Sequence, residues 1–422
     1  MARRTLILAL LAVLVGSAAA AAQTEITFWY AWGGDEGDAL VSLVDEFNAS
    51  QDEVIVRPVF VPIGAGGEKI IATLAGKSTP DLITIWDWMV VPLGTSGALL
   101  DLSGYLEKAG ITSDSYLPKA WEYGSYQGAK YGLPTTLNVY AFMWNKALYE
   151  SMGVDPETPP RDIEQLDEYA ELLTKVDSRG NLRRLGFLPT ITHIYFYVFG
   201  GRLWDPETGE ITANDPGNVR ALEWVASYYE KYDVQKIRTF QATWGDMASP
   251  YNPFYRGQLA MQEAGQWELL FIEKFAKPDF EYGVAPFPAP EGGRDKVAYM
   301  NGSFWAIPSA AKHPDAAFTF LAWLTAPHQA ARFAASLSNI PPRVAALEDP
   351  AFADRMLPGM SVYLDMLQNG YVYYFPMLPV GLFYLDELNQ ALAAVQSGRK
   401  TPQEALDDVQ ASVTQELERM GH

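Results

Sequence analysis

The stretch from Tyr131 to Gly153 constrains the fold more than any other part of the chain. It opens on the turn Gly132-Leu133-Pro134 and runs on through Leu137, Val139 and Phe142, too apolar and aromatic for a loop. Such a run predicts a buried strand. At Asn145 the spacing changes. Asn145 is suited to cap a short helix, Lys146–Met152, which Gly153 ends. A proline turn, a central strand and a capped helix in direct succession mark a crossing between two structural units.

Upstream, Ile26, Phe28 and Tyr30 alternate with Thr27 and Trp29, which predicts a first strand over Thr24–Tyr30. Gly33-Gly34-Asp35-Glu36-Gly37 reads as a turn. Leu40, Val44 and Phe47 then share one helical face. Val54–Val56 is a second strand, Ile70, Ile71 and Leu74 mark a helix, and Asp81–Trp86 is the continuous apolar run of a parallel central strand. This β-α-β-α-β alternation predicts an α/β fold with a mainly parallel sheet. Ligands of such sheets bind beyond the carboxyl ends of the strands, which sets Trp32-Gly33-Gly34-Asp35 and Trp86-Asp87-Trp88 beside one crevice.

Downstream, the Pro-rich run Gly283–Pro290 reads as a returning crossover, and Thr325–His328 as a third crossing. Thr401-Pro402-Gln403-Glu404 is a capping box with proline at the first helical position, opening a helix with Leu406, Val409, Val413 and Leu417 on one face.

Arg3-Arg4, the apolar run Leu6–Val15 and Ser17–Ala22 have the order of a secretory signal, with cleavage expected near Ala20 to Ala22. The apolar run is shorter than the roughly 20 residues a membrane span needs. The chain has 422 residues and no cysteine, enough length to build a core without disulfides and no thiolate for metal, catalysis or lipid anchoring. Release into a periplasm by the general secretory route, as a protein not inserted in the membrane, is the expectation. Taking Arg3 and Arg4 from the 31 basic residues leaves 29 against 51 acidic, a charge near −22. Such a surface repels nucleic acid and anionic lipid.

The four histidines are scattered, and no Gly-x-Ser-x-Gly elbow, dinucleotide fingerprint or phosphate loop is present. No cofactor or metal site is expected, and an enzyme is disfavoured. The 12 Trp and 23 Tyr point instead to binding. Flat rings cover the C–H face of a sugar while amides and carboxylates bond its hydroxyl rim. Trp32, Trp86, Trp88 and Trp267 stand in turns at strand ends, whereas Trp144, Trp224 and Trp323 lie in regular patterns that suit core packing.

Five landmarks in order carry a family resemblance. They are Thr24–Trp32, Thr79–Trp86, the run Gly132-Leu-Pro134 to Phe142-Met-Trp-Asn-Lys146, Gly257-Gln-Leu-Ala-Met261 with Gly265-Gln-Trp267, and Asn301-Gly-Ser-Phe-Trp-Ala-Ile-Pro308. The chain resembles family 1 extracellular solute-binding proteins, the maltose-binding-protein-like sugar receptors of ABC importers. One departure is Trp144-Asn145-Lys146, where the family usually has Tyr-Asn-Lys. The resemblance implies a two-lobed fold with three crossovers. Residues 23–134 and 285–326 would form the N-terminal lobe, 135–284 and 327–422 the C-terminal lobe, after a signal at 1–22. It also implies a monomeric receptor that takes a carbohydrate between the lobes, closes by a hinge motion and meets a membrane permease.

By position, the resemblance implies ligand contacts from Asn138, where maltose-binding protein has a carboxylate, from Trp267, where the family's tryptophan follows Gly-Pro, from Trp86-Asp87-Trp88 and from Asn301-Gly302-Ser303. Glu263 is a further candidate for vicinal hydroxyls, with a solvated carboxylate as the alternative. His193 is either a contact or a buried histidine. Arg343 would pair with an acidic group or the ligand. Tyr371 and Tyr374, with Tyr373, would stack on sugar or, as tyrosines do in related importers, bind ferric iron. A receptor for polyamine, glycerol phosphate or iron, and a secreted glycosidase, are the alternatives.

Overall fold

The computed structural model describes residues 23–62, 66–74, 76 and 79–421. The expected signal segment lies outside them. Eight strands form the main sheet: β1 (Thr24–Tyr30), β2 (Val54–Phe60), β3 (Leu82–Trp86), β4 (Leu133–Asn145), β5 (Met261–Gly265), β6 (Tyr282–Ala285), β7 (Val297–Ala306) and β8 (Tyr371–Tyr373). Their order is β5-β4-β7-β3-β1-β2, with β6 also on β4 and β8 on β7. Helices cover this sheet to give a two-lobed α/β molecule.

The parallel pairing expected from β-α-β alternation holds among β1, β2 and β3. Around β4 it gives way: β5, β6 and β7 all run antiparallel to it. Long helical excursions separate β4 from β5, and the helix Trp267–Phe275 separates β5 from β6. Residues 133–139 of β4 pair with β7, while 140–145 pair with β5 and β6. β4 thus exchanges one set of partners for another part-way along its length, a few residues after Pro134.

Two main cores pack against the sheet, and the larger one extends across this exchange of partners. The first gathers Ile26, Phe28, Leu40, Val44, Phe47, Trp305, Phe320 and Phe333. The larger one runs from Ile85, Met89 and Val90 into Phe142, Trp144, Phe187 and Trp224. Helix Pro327–Ser336 sends Phe333 into the first core, where its ring meets Trp32 at 5.1 Å and Trp305 at 5.6 Å. Ala330, Ala331 and Ala334 of the same helix pack on Ala346 and Phe352. Pro327 starts a new helix, and that helix packs on the first core. The caps read from the sequence form as expected: Asn145 accepts from Leu148 N–H at 3.0 Å, and Thr401 and Glu404 complete a capping box.

Candidate binding cleft

Both β1 and β3 end at the same edge, so the residues after them share one wall. Trp32 follows β1 and braces edge-on against Phe333. Trp86 closes β3, and Asp87 and Trp88 begin helix Asp87–Thr95. Across from them, β5 turns directly into helix Trp267–Phe275, so Trp267 projects from the helix start and Phe271 one turn later. Gly265 permits this turn. A Cβ there would overlap the Trp267 ring, so glycine is what lets the indole lie back over the strand end. The floor comes from adjacent rungs of β4 and β7, where Asn138 lies opposite Asn301. These elements enclose a cavity of about 720 Å³ lined by Trp32, Glu36, Trp86, Asp87, Trp88, Asn138, Tyr140, Trp267, Phe271, Asn301, Leu337 and Asn339, with Ala31 and Pro62 at its edge. The volume lies within the roughly 300–1,000 Å³ usual for small-molecule sites.

The floor is polar and only partly satisfied. Asn301 donates through Nδ2 to Tyr140 Oη at 3.2 Å, yet its Oδ1 is buried without a partner. Asn138 Oδ1 is buried without a partner too. Both residues line the cavity, and a buried acceptor without a donor costs about 1–3 kcal/mol. Tyr140 meets Trp267 edge-on at 5.3 Å, and burial raises its hydroxyl to about 12, so it stays a neutral donor. Trp267 Nε1 donates to Met247 Sδ at 3.2 Å.

Asp87 is the deepest charge. Burial pushes its carboxyl up to about 6, opposed by the Tyr123 hydroxyl that donates to Oδ2 and by the Trp88 N–H. Burial also raises Glu36, against the pull of Lys274. No lysine, arginine or histidine lines the cavity among the described residues.

Of the residues expected from sequence, Trp32, Trp86, Asp87, Trp88, Asn138, Trp267 and Asn301 come together here. The others lie outside the cavity. Asp35 is exposed and pairs with Lys274 across the mouth, which holds its carboxyl below the usual range. The Glu263 carboxylate is taken up by Thr190 N–H at 3.0 Å and Thr190 Oγ1 at 2.6 Å, so it anchors a turn. His193 packs among Phe196, Tyr299 and Phe375, where burial lowers it to about 4. A Cβ on Gly302 would come 2.8 Å from the Thr136 carbonyl, and Ser303 Oγ bonds Thr135 Oγ1 at 2.6 Å, so both serve strand packing. Arg343 bonds Ser115 Oγ at 3.0 Å and lies over the Tyr116 ring. Tyr371 is exposed on β8, and Tyr374 lines a separate cavity with Tyr197 and Trp204. Among the described residues no acidic or histidine cluster suited to a metal accompanies these tyrosines.

Sequence reading missed Glu36, Tyr140, Phe271, Leu337 and Asn339. Two were within reach: Tyr140 shares a strand face with Asn138, and Phe271 shares a helix face with Trp267.

With that geometry in view, residues 31–331 match the sequence profile of the bacterial extracellular solute-binding protein family. The chain belongs to that family. This solute-binding protein superposes on the mannobiose-bound structure of CpMnBP1 with a TM-score of 0.83 at 32% identity, covering 93% of this chain and 100% of that one. It shares its fold with maltose-bound MalE3 of T. maritima, with a TM-score of 0.75 at 19% identity over 93% of this chain and 99% of that one. Among curated relatives, the sn-glycerol-3-phosphate-binding periplasmic protein UgpB of Pectobacterium atrosepticum is 25% identical over 421 residues, covering 93% of this chain and 90% of the relative. A probable amino-acid ABC transporter periplasmic-binding protein of Sinorhizobium fredii is 28% identical over 74% of this chain and 70% of the relative. As a family member this solute-binding protein captures a ligand and is not an enzyme. No described helix is long and apolar enough to cross a membrane.

Proposed function

We propose that this chain is the periplasmic receptor of an ABC importer, exported with cleavage near Ala20 to Ala22, that captures a short neutral oligosaccharide and delivers it to a membrane permease. The observation that carries the reading is one cavity lined by the amide side chains of Asn138 and Asn301 together with the rings of Trp32, Trp86, Trp88 and Trp267. Amide groups exchange hydrogen bonds with sugar hydroxyls while the pyranose faces meet the indoles. The likeness to a mannobiose-bound protein supports the same class.

Similarity to glycerol-phosphate receptors favours a second reading, but the lining is against it. A phosphate wants cationic or N–H donors. This cavity presents Glu36 and Asp87 and no cationic side chain among the described residues.

A thermal and calorimetric comparison of mannobiose, maltose, glycerol 3-phosphate and spermidine tests the proposal. A sugar at 100 times its dissociation constant should add about 2.7 kcal/mol of stability. Stabilisation by glycerol 3-phosphate or spermidine with none by either sugar would overturn it.

A further inference from the structure

Strand β4 changes partners part-way along one edge. From Trp144 to Tyr140 its neighbour is β5, ending with Gly265 opposite Tyr140. At Leu137 the neighbour is Ile340, and the two exchange backbone bonds of 2.8 and 3.2 Å. The rung between belongs to Val139. The next residue after β5 is Gln266, whose backbone has already turned helical (φ −63°, ψ −18°) to start the helix that carries Trp267. Its peptide cannot extend the ladder. Its side chain does. Oε1 accepts from Val139 N–H at 2.8 Å, and Nε2 donates to the Leu137 carbonyl at 2.7 Å and to Asn339 Oδ1 at 3.1 Å. Asn339 passes the chain on, donating through Nδ2 to Thr136 Oγ1 at 3.0 Å. Gln266 is fully buried and every polar atom of its side chain is engaged.

We infer that Gln266 is a positioning residue that splices the two halves of the sheet at the crossing strand and thereby registers three cleft residues against one another. A primary amide offers the donor and acceptor of a peptide group, so it stands in for one missing rung. Asn138 sits between the two residues that Gln266 bonds. Trp267 follows it in the chain. Asn339, packed with the first lobe, is clasped by it. The second lobe's tryptophan and the first lobe's asparagine are therefore indexed to the same span of β4. Placement matters because binding groups must be held to within about half an ångström to act together. The inference rests on the reading of this cavity as the ligand cleft.

Gln266→Leu keeps size and burial but deletes the amide. In the intact chain, the expected result is at least tenfold faster hydrogen exchange at the Val139 amide, with the Met143 amide unchanged, and at least tenfold weaker mannobiose binding, expressed as faster dissociation. Gln266→Glu serves if that variant does not fold. It keeps the acceptor for Val139 but loses both donors, so Val139 stays protected while mannobiose dissociates faster. Unchanged Val139 exchange in Gln266→Leu would overturn the splice. Unchanged mannobiose kinetics in a folded Gln266→Leu or Gln266→Glu protein would reduce Gln266 to a local packing group and overturn its positioning role. If mannobiose does not bind the unaltered protein, the sugar reading fails by itself, and the exchange arm still decides the splice.

Discussion

At the cleft floor, the amide oxygens of Asn138 and Asn301 are buried without a protein partner, a cost to the fold. Asn138→Leu should therefore leave stability unchanged or raise it, while weakening mannobiose binding by about 1–3 kcal/mol through an unpaired hydroxyl. Urea unfolding and titration calorimetry on one sample separate the two effects; loss of both together would mean that Asn138 is structural. Asp87 carries a pH signature. Its carboxyl lies near 6 in the fold against 3.8 ordinarily, so the folded protein holds a proton that the unfolded chain releases. That contribution is complete below the unfolded value and fades as pH rises through about 6. Buried Glu268, raised to about 7, acts in the same direction. Asp87→Asn should raise stability near pH 7.5 by up to about 3 kcal/mol and do little near pH 4, read from urea midpoints at both. Much of this wall was legible. Tryptophans read as standing in turns at strand ends line one cavity, and Asn138 and Asn301, read from the landmarks, line it too. Glu263 and His193 misled because polarity in a sequence does not say whether a neighbour already satisfies it: Thr190 and Ile191 take up the carboxylate, and aromatic rings surround the imidazole.

Elements with local signals were read well for a physical reason. β1 is set by its own alternation, Asn145 by a cap three residues from its partner, and the helix Pro402–Arg419 by a box closed within four residues. Elements whose identity depends on distant partners were not. Leu337 and Asn339 reach the cleft because Ser338 turns left-handed (φ 51°), and nothing nearby announces that turn. The antiparallel surroundings of β4 and the side-chain rung from Gln266 join segments more than a hundred residues apart. The β5-to-helix corner gives a test at this scale. Gly265→Ala places a methyl inside the Trp267 ring, so the indole must swing away or the helix must shift. The expected outcome is a loss of about 1–3 kcal/mol of stability and a larger proportional loss of mannobiose affinity. Trp267→Ala in the same background should restore the stability and not the affinity, since it removes the clash and the ring together.

On the scale of the whole molecule, the lobes meet through different kinds of contact at two depths. Deep in the crossing, the Gln266–Asn339–Thr136 chain is neutral and buried. At the mouth, Asp35 beyond β1 pairs with Lys274 on the helix Trp267–Phe275, with Glu36 beside them, and both partners are open to water. Closure around a ligand is a shift between lobe arrangements, and a ligand favours the one in which it touches both walls. An exposed ion pair contributes little to that balance, but reversing it sets like charges across the gap. Lys274→Glu faces Asp35 and Glu36 with a third carboxylate exactly where the lobes approach. Mannobiose affinity should fall several-fold at low ionic strength and recover toward that of the unaltered protein near 1 M salt, where screening acts within about 3 Å. The Asn138→Leu defect, arising from a hydroxyl without an acceptor, should persist at both salt concentrations. If salt rescued neither variant, the Asp35–Lys274 contact would have no part in closure; if it rescued both, the defect at the floor would be electrostatic and the Asn138 amide would not be what holds the sugar.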